Sequence, residues 1–314
     1  MIGDMGDGTR RRPPLVSVVV PYWNTPELVR ECLASIEAGL TGVDHEVIVV
    51  DNGSNVGRRL DPVADARMLH NAENLGFAAA ANRAARIARG RFVLFLNSDV
   101  RLSAGAVARL VDDLRADPGL AAVAPVAIGR SGERRFPALR YLTPLAQARA
   151  LFGLGGRFAC EPRARAVVNV DWARASTLLV RKRPFDELCG FDEGYFFYEE
   201  DEDLCWRLTR RGWRVAVDTR VEVDDPGGGT TRIAGRWPQV ALYDGQLRFV
   251  RRRCGRAGVL AYRLAVTAAV AAKLLVPTAA RRRGRRDRAG VRASVSEVLG
   301  ALWRSQATVS TTTA

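Results

Sequence analysis

Cysteine is scarce in this chain and badly spaced for structural work. The five residues, Cys32, Cys160, Cys189, Cys205 and Cys254, are odd in number and none forms a CxxC pair. They offer neither a disulfide framework nor a thiolate metal site, and read as reduced thiols in a cytosolic setting. The Gly/Asp/Arg-rich residues 1–14 hold no apolar h-region, so they read as a frayed tail without a secretory signal. Long apolar runs are also missing towards the C-terminus. Residues 257–280 are rich in Ala, Leu and Val, but Arg263 and Lys273 interrupt them, Pro277 ends them, and the longest uncharged run is the nine residues 264–272. A spanning helix needs about 20 apolar residues, which disfavours a transmembrane segment. No internal repeat is visible.

A total of 314 residues allows one large domain or two, and 47% hydrophobic with 26% charged residues is an ordinary globular balance. The net charge of +14 is less ordinary, and its location matters more than its size. Between Arg251 and Arg288 there are 12 Lys or Arg against one acid, Asp287, leaving 36 basic and 33 acidic residues elsewhere. The body is nearly neutral and the basicity belongs to a C-terminal extension. Arg256 and Arg263 lie seven apart, near one helical face, with Arg clusters at 251–253 and 281–286 on either side. That pattern suits a helix lying on an anionic membrane surface; packing on the body or in a homodimer is the alternative. Nucleic-acid binding is disfavoured, because aromatic interleaving and a recognisable module are both missing.

The first two-thirds alternates strand and helix patterns. Residues 15–20 form a β-branched run ending at Pro21-Tyr-Trp-Asn24, after which Thr25 offers an N-cap and Pro26 a first helical position. Leu28, Cys32, Leu33, Ile36 and Leu40 then follow at helical spacing. Further strands are expected at 46–50, 67–69, 91–96 and 121–125, with an Ala-rich helix to about residue 89 and another, capped by Ser103, to about 116. Such alternation implies a mostly parallel central sheet with helices on both faces. Residues 126–165 lose the regularity. Beyond them, 167–181 reads as a long strand pair, 199–211 as a helix and 213–217 as a strand. A dinucleotide fold is disfavoured: the turn after the first strand has no glycine to let a pyrophosphate approach, and Gly153-Leu-Gly-Gly156 follows no strand. Asp51, ending the second strand, can still bind a mononucleotide's base or ribose, or merely close an Asx turn.

Two polar clusters carry possible chemistry. Asn97-Ser98-Asp99 ends an apolar strand, where open α/β sheets bind ligands. One carboxylate beside an amide and a hydroxyl suits Mg²⁺ or Mn²⁺ shared with phosphate oxygens, though the same residues also make turns. Glu199-Glu-Asp-Glu-Asp203 follows the aromatic run Tyr195-Phe-Phe-Tyr198 and opens a helix. Acids there complement the macrodipole, but crowded carboxylates also raise one another's pKa, as a general base requires.

At this point the chain resembles the inverting family-2 glycosyltransferases of GT-A fold, in their rhamnosyltransferase-like branch, from about residue 16 to 230. Ser17-Val-Val-Val-Pro-Tyr-Trp-Asn24 resembles the first strand and nucleotide-contacting turn, with Pro21, Tyr22 and Asn24 on it. Val47-Ile-Val-Val-Asp-Asn-Gly-Ser54 is similar to the second, placing Asp51 and Asn52 on the donor. Asn74-Leu-Gly-Phe-Ala-Ala-Ala-Ala-Asn82 looks like a segment common in that branch, adding Asn74 and Gly76 to the nucleotide-sugar set. Phe95-Leu-Asn-Ser-Asp99 resembles a variant DxD motif, with Asp99 as metal ligand and Asn97 and Ser98 beside the donor. Gly190-Phe-Asp-Glu193 with Phe196-Phe-Tyr-Glu-Glu-Asp-Glu-Asp-Leu-Cys205 looks like the acceptor-side motif. The resemblance makes Asp201 of the Glu200-Asp201 pair the base, with Glu200 and Asp203 tuning it. It leaves Asp192 and Glu193 to hold acceptor hydroxyls, and Trp172 either to stack on a sugar or to fill the core.

One departure stands out. The family commonly places a His after the last core strand, but this chain has only His45 and His70, far upstream, and Asp224 or Asp225 stands in that place. Carboxylate is an acceptable ligand for Mg²⁺ or Mn²⁺, yet it adds negative charge near the donor diphosphate. The resemblance thus implies a tail at 1–14, a GT-A domain at 15–235 (nucleotide-sugar half 15–125, acceptor half 126–235), a basic amphipathic helical region at 236–290 and a C-terminal tail at 291–314. The expected activity is transfer of a sugar, first of all rhamnose, from a nucleoside-diphosphate sugar to a saccharide or polyprenyl-linked acceptor at the inner face of the cell membrane. A non-catalytic nucleotide-sugar-binding or membrane-surface protein of the same fold is the alternative.

Overall fold

The computed structural model describes residues 12–151, 165–229, 237–275, 300 and 302–303. The glycine run at 153–156 and the Arg cluster at 281–286 lie outside them. Twelve strands run in chain order: β1 Val16–Tyr22, β2 His45–Asn52, β3 Ala66–Asn71, β4 Phe92–Leu96, β5 Arg101–Leu102, β6 Leu120–Ile128, β7 Arg134–Arg135, β8 Ala138–Leu139, β9 Val167–Val170, β10 Trp172–Ala173, β11 Thr177–Arg181 and β12 Arg214–Asp224. The helices are α1 Pro26–Ala34, α2 Ile36–Gly39, α3 Phe77–Ile87, α4 Ala106–Ala116, α5 Pro144–Leu151, α6 Lys182–Glu187, α7 Glu200–Arg210 and a last one, α8, Trp237–Leu275.

The main sheet has the order β3-β2-β1-β4-β11-β6-β12-β5. β1 pairs in parallel with β2 and β4, β2 with β3, and β6 with β12. β11 is antiparallel to both β4 and β6. The C-terminal ends of β1, β2, β3, β4, β6 and β12 therefore share one edge with the start of β11. Every residue of β1 and β4 is buried, as expected of strands covered on both faces. Alternation sorts their side chains. Val16, Val18 and Val20 join Val29 of α1 and Leu110 of α4 on one face, while Val19 joins Ala81 and Ala84 of α3 and Leu204 of α7 on the other.

Three local expectations are corrected. The helical run from 26 to 40 breaks at Ser35, whose hydroxyl donates to Cys32 O (2.6 Å) and accepts the Leu102 N–H (2.9 Å). Ser103 does not cap α4; Gly105 precedes that helix in the left-handed conformation. Residues 167–181 do not form a strand pair: β9 joins β12, β10 joins β8, and β11 enters between β4 and β6.

The C-terminal extension is a hairpin. Gly255, at φ 69° and ψ −166°, breaks α8, and Tyr262 bonds Gln246. Sixteen residues along a straight helix would span about 24 Å. The stretch Ala241–Ala271 has the length and composition to cross a membrane, but here it folds back on itself. Leu247, Phe249, Val250, Tyr262 and Val266 form a separate buried cluster with Leu142, Tyr195 and Leu302. Leu302 is thus docked, although it falls within the expected tail.

Away from the sheet edge, the carboxyls of Asp113 of α4 and Asp218 of β12 face each other beside Arg220. Burial, then the Asp218 charge, push Asp113 up to about 7. The folded chain therefore holds a proton that the unfolded chain has lost above the ordinary carboxylate range. Stability from this group is full in acid and is lost as pH rises towards and through about 7. Asp113→Asn keeps a donor for Asp218 without that titration. Urea midpoints at pH 5 and 8 should show wild type losing on the order of 2 kcal/mol more than the variant.

Candidate active site

The shared sheet edge gathers most of the residues singled out by sequence. On the β1–β2 side, Asp51 is buried and accepts the Ser54 N–H at 2.9 Å, closing an Asx turn. Its other oxygen faces His70 Nδ1 at 3.6 Å. Tyr22 accepts the Leu60 N–H at 2.9 Å, and burial with Asp51 alongside pushes its phenol up to about 12. Asn24, in the left-handed region at φ 58°, is latched to the same loop: its N–H reaches Ser54 Oγ at 2.9 Å and its Oδ1 accepts the Asn55 N–H at 2.8 Å. Pro21 and Tyr22 remain in β1 and shape the floor.

Asn52, Asn74 and Gly76 form a bracket. Asn52 donates to Asn74 Oδ1 (2.8 Å) and Gly76 O (3.1 Å), and accepts from Asn71 Nδ2 (2.7 Å) and the Leu75 N–H (3.1 Å). Its amide is fully engaged inside the protein, so its work is to fix this loop. Gly76 has φ 83°, and a Cβ there would lie 2.2 Å from Phe196 O; Phe77 N–H bonds that same carbonyl at 2.9 Å. Only glycine allows this approach. At the far end of the motif Asn82 donates to Phe191 O (2.8 Å) and Glu193 Oε1 (3.0 Å). The Asn74–Asn82 motif thus ties this loop to residues 191–196.

The centre is the turn Arg174-Ala175-Ser176 ahead of β11. Ala175 N–H donates to Asp201 Oδ2 at 2.9 Å. Ser176 O accepts the Asn97 N–H at 2.8 Å, and the Ser176 hydroxyl faces the Asp225 carboxyl. Ser98 Oγ lies 3.3 Å from Thr25 Oγ1, and Asp99 Oδ2 accepts the Gly229 N–H at 2.8 Å. Burial, then the Asp99 charge, raise the Asp225 carboxyl above its ordinary value. Two carboxylates held against their mutual repulsion are hard oxygen donors. A Mg²⁺ or Mn²⁺ ion shared with substrate phosphate needs only one or two such groups, so the pair fits. Among the described residues no group of three or more potential ligands occurs. Asp224 does not join this pair: its Oδ2 is taken by Arg101 Nε at 2.9 Å at the sheet margin. Of the two acids offered for the His position, Asp225 is the one beside Asp99.

The five acids divide in the same way. Tyr198 and Glu199 are consecutive left-handed residues at φ 71° and 68°, a conformation costly for side chains other than glycine. Glu202 is fully buried and accepts the Leu142 N–H. Asp203, also fully buried, binds Arg207 at 2.6 Å and Arg252. Glu200 and Asp201 remain. Asp201 accepts the Glu202 N–H at 2.8 Å as well as Ala175. Burial, with the Glu199 charge, drives it up to about 6 despite those bonds and the Arg174 charge nearby. Burial and the Asp201 and Glu199 charges raise Glu200 well above its ordinary value, and its Oε2 has no hydrogen-bond partner.

The acceptor-side expectations fare differently. Trp172 is 5% exposed and packs in the core with Nε1–H directed at Arg140 O, so it is a core residue rather than a sugar platform. Asp192 is held by Arg248 (2.9 Å) and Arg252 (3.2 Å) of α8, and Glu193 by Asn82 and Arg86. Sequence reasoning missed Arg174, Ser176, Gln246 and Arg252. Arg174 had a faint signal, a single charge in the small-residue stretch Ala173-Arg-Ala-Ser176; the α8 residues had none.

Comparison with known proteins agrees with this geometry. Residues 17–175 match the model of the family described as glycosyl transferase family 2. The chain is 31% identical over 229 residues to an N-acetylglucosaminyl-diphospho-decaprenol L-rhamnosyltransferase of Mycobacterium tuberculosis, covering 66% of this chain and 74% of that one. It is 30% identical over 246 residues to a pre-mycofactocin glycosyltransferase of the same organism, covering 71% and 48%. The solved mannosyltransferase PcManGT from Pyrobaculum calidifontis, in complex with GDP-Man and Mn²⁺, superposes with a TM-score of 0.55 at 18% identity, covering 93% of this chain and 86% of that one. A GT-A-type fold and a family match over half its length make this chain a glycosyltransferase enzyme belonging to glycosyltransferase family 2.

Proposed function

We propose that this enzyme moves a sugar, rhamnose as the first candidate, from a nucleoside-diphosphate sugar to a saccharide or polyprenyl-diphosphate-linked acceptor with inversion at the anomeric carbon. The observation that carries the reading is the turn Arg174–Ser176: it binds Asp201 and Asn97 and turns its Ser176 hydroxyl towards Asp225, so a proton acceptor and a phosphate-side acid pair stand around one frame. The printed activity of the M. tuberculosis relative supports rhamnose and a decaprenol-linked acceptor.

Asp201 takes the proton of an acceptor hydroxyl while the oxygen bonds the anomeric carbon. The bond from that carbon to the diphosphate breaks in the same displacement, and the electron pair leaves on the nucleoside diphosphate. A carboxyl raised to about 6 is more basic than an ordinary Asp yet ionised at neutral pH. Glu200 keeps its proton longer and limits the charge beside the base. Asp99 and Asp225 would hold a Mg²⁺ or Mn²⁺ ion, which when bound neutralises charge on the departing diphosphate. Arg174 is exposed on the turn and makes no ion pair among the described residues. Its guanidinium supplies the positive charge that Asp225, in place of His, takes away.

The location follows from α8. Its second half buries Tyr262, Val266 and Ala269 and exposes Ala257, Leu260, Ala261, Leu264 and Ala268 along the opposite face, beside Arg251, Arg253 and Arg256. An apolar stripe rimmed by Arg suits the anionic inner face of the cell membrane.

Asp201→Asn should lower transfer at least ~1,000-fold while leaving nucleoside-diphosphate binding within twofold, a loss of the size expected for removing a general base; Glu200→Gln should lower it far less. Turnover in wild type should rise with pH through an apparent pKa near 6 that belongs to the pair. Arg174→Ala should weaken dTDP or UDP, measured calorimetrically with Mn²⁺, about tenfold while leaving the parent nucleoside unaffected. Leu260→Asp with Leu264→Asp should abolish sedimentation with anionic vesicles without changing turnover on a soluble acceptor.

A further inference from the structure

The C-terminal helix lies outside the family-matched residues, yet its first half reaches the acceptor-side acids at several points. Gln246 Nε2 donates to Glu199 Oε1 at 3.1 Å, and Gln246 Oε1 accepts from Tyr262 Oη on the second half of the hairpin. One residue earlier, Gly245 sits so close that a Cβ there would stand 2.9 Å from Tyr198 O and 3.3–3.4 Å from the Glu199 side chain. Two turns on, Arg252 bonds Asp203 and Asp192, and Arg248 bonds Asp192 and lies 5.3 Å from the Tyr195 ring centre. Gln246 and Tyr262 are both buried, as are Glu199 and Asp203. These contacts converge on the left-handed pair Tyr198–Glu199, the segment that launches α7 and aims Glu200 and Asp201.

A pair of non-glycine residues in that conformation persists only where its surroundings hold it. β-Sheet hydrogen bonds do not reach residues 198–199. Those surroundings include the Phe197 ring, 4.2 Å from that of Tyr198, and, from α8, Gly245 and Gln246 against the backbone and carboxylate of the pair. Resting on the glycosyltransfer reading above, we propose that α8 is a working part of the acceptor side, with Gln246 a positioning residue that sets the Glu200–Asp201 carboxyls through Glu199. Arg252 does the same from the other end of the acidic run, pinning Asp203 one turn along the same helix. Neither touches the reacting atoms. Both act by fixing the backbone from which the base projects.

The test compares Gln246→Met, which keeps length and loses the hydrogen bonds, with Gln246→Glu, which retains an acceptor for Tyr262 and places a second carboxyl against Glu199. In the full-length protein, hydrogen–deuterium exchange of Gln246→Met should rise in peptides spanning residues 196–203 and stay unchanged at 50–55. Its kcat should fall about tenfold with donor KM within twofold, a loss of about 1.4 kcal/mol. In Gln246→Glu the acid limb of the kcat profile should move to higher pH. Unchanged exchange at 196–203 overturns the proposal whatever the activity, and so does a loss confined to donor KM. If exchange rises as expected but wild type turns over no nucleoside-diphosphate sugar from a panel of dTDP, UDP and GDP donors, the positioning role stands and the glycosyltransfer reading falls.

Discussion

The site depends on β11 entering the sheet backwards. Between the parallel strands β3-β2-β1-β4 on one side and the parallel pair β6-β12 on the other, Thr177–Arg181 lies antiparallel to both β4 and β6. Its beginning, rather than its end, therefore meets the C-terminal edge, and the turn preceding it stands beside the end of β4. Had β11 been parallel, residues 174–176 would sit at the far side of the sheet. Asp201 and Asn97 would then have no common partner, and the Ser176 hydroxyl would not face Asp225. A backbone N–H, a carbonyl and a hydroxyl from two successive residues, Ala175 and Ser176, meet groups that are 24 to 128 positions apart in sequence.

Charge is the second constraint. Buried carboxylates at this edge repel one another, and the fold answers each differently. Glu202 receives a backbone N–H and Asp203 two guanidinium groups. Asp51 is capped by its own turn. Asp225, Asp201 and Glu200 receive less than they need, and their carboxyls sit above the ordinary range. Unequal compensation within a short stretch separates acids that support the frame from acids available for chemistry. Arg174 belongs to this balance as the cation left facing outward.

Much of this was legible in the sequence, and the rest was not for definite reasons. Strand ends at Asp51 and Asp99, the Ala-rich helix and the acidic helix start were read from local pattern, because burial on both faces and helical periodicity leave marks on neighbouring residues. Pairing is not local. The run 167–181 reads as one strand pair because nothing in its composition says that its three segments join different partners. Trp172 illustrates the same limit: an aromatic beside a polar turn can face either a ligand or the core, and only the three-dimensional packing chooses the core. The choice between Asp224 and Asp225 was likewise open until Arg101, more than 120 positions upstream, was seen to claim Asp224. Gln246 had no motif at all, since its role arises from a hairpin whose halves meet across the Gly255 break.

The reversed strand also shapes how the molecule comes into being. β4 pairs with β1 on one side early, but its other edge waits for β11, whose first residue, Thr177, faces Leu96 about eighty positions earlier. During synthesis at roughly 5–20 residues per second, that apolar edge stands open for several seconds after its own strand has emerged. An unpaired Val- and Phe-rich edge is a template for another chain. The first 125 residues are accordingly no independent folding unit: the nascent protein stays vulnerable to misassociation until β11 arrives to close the sheet.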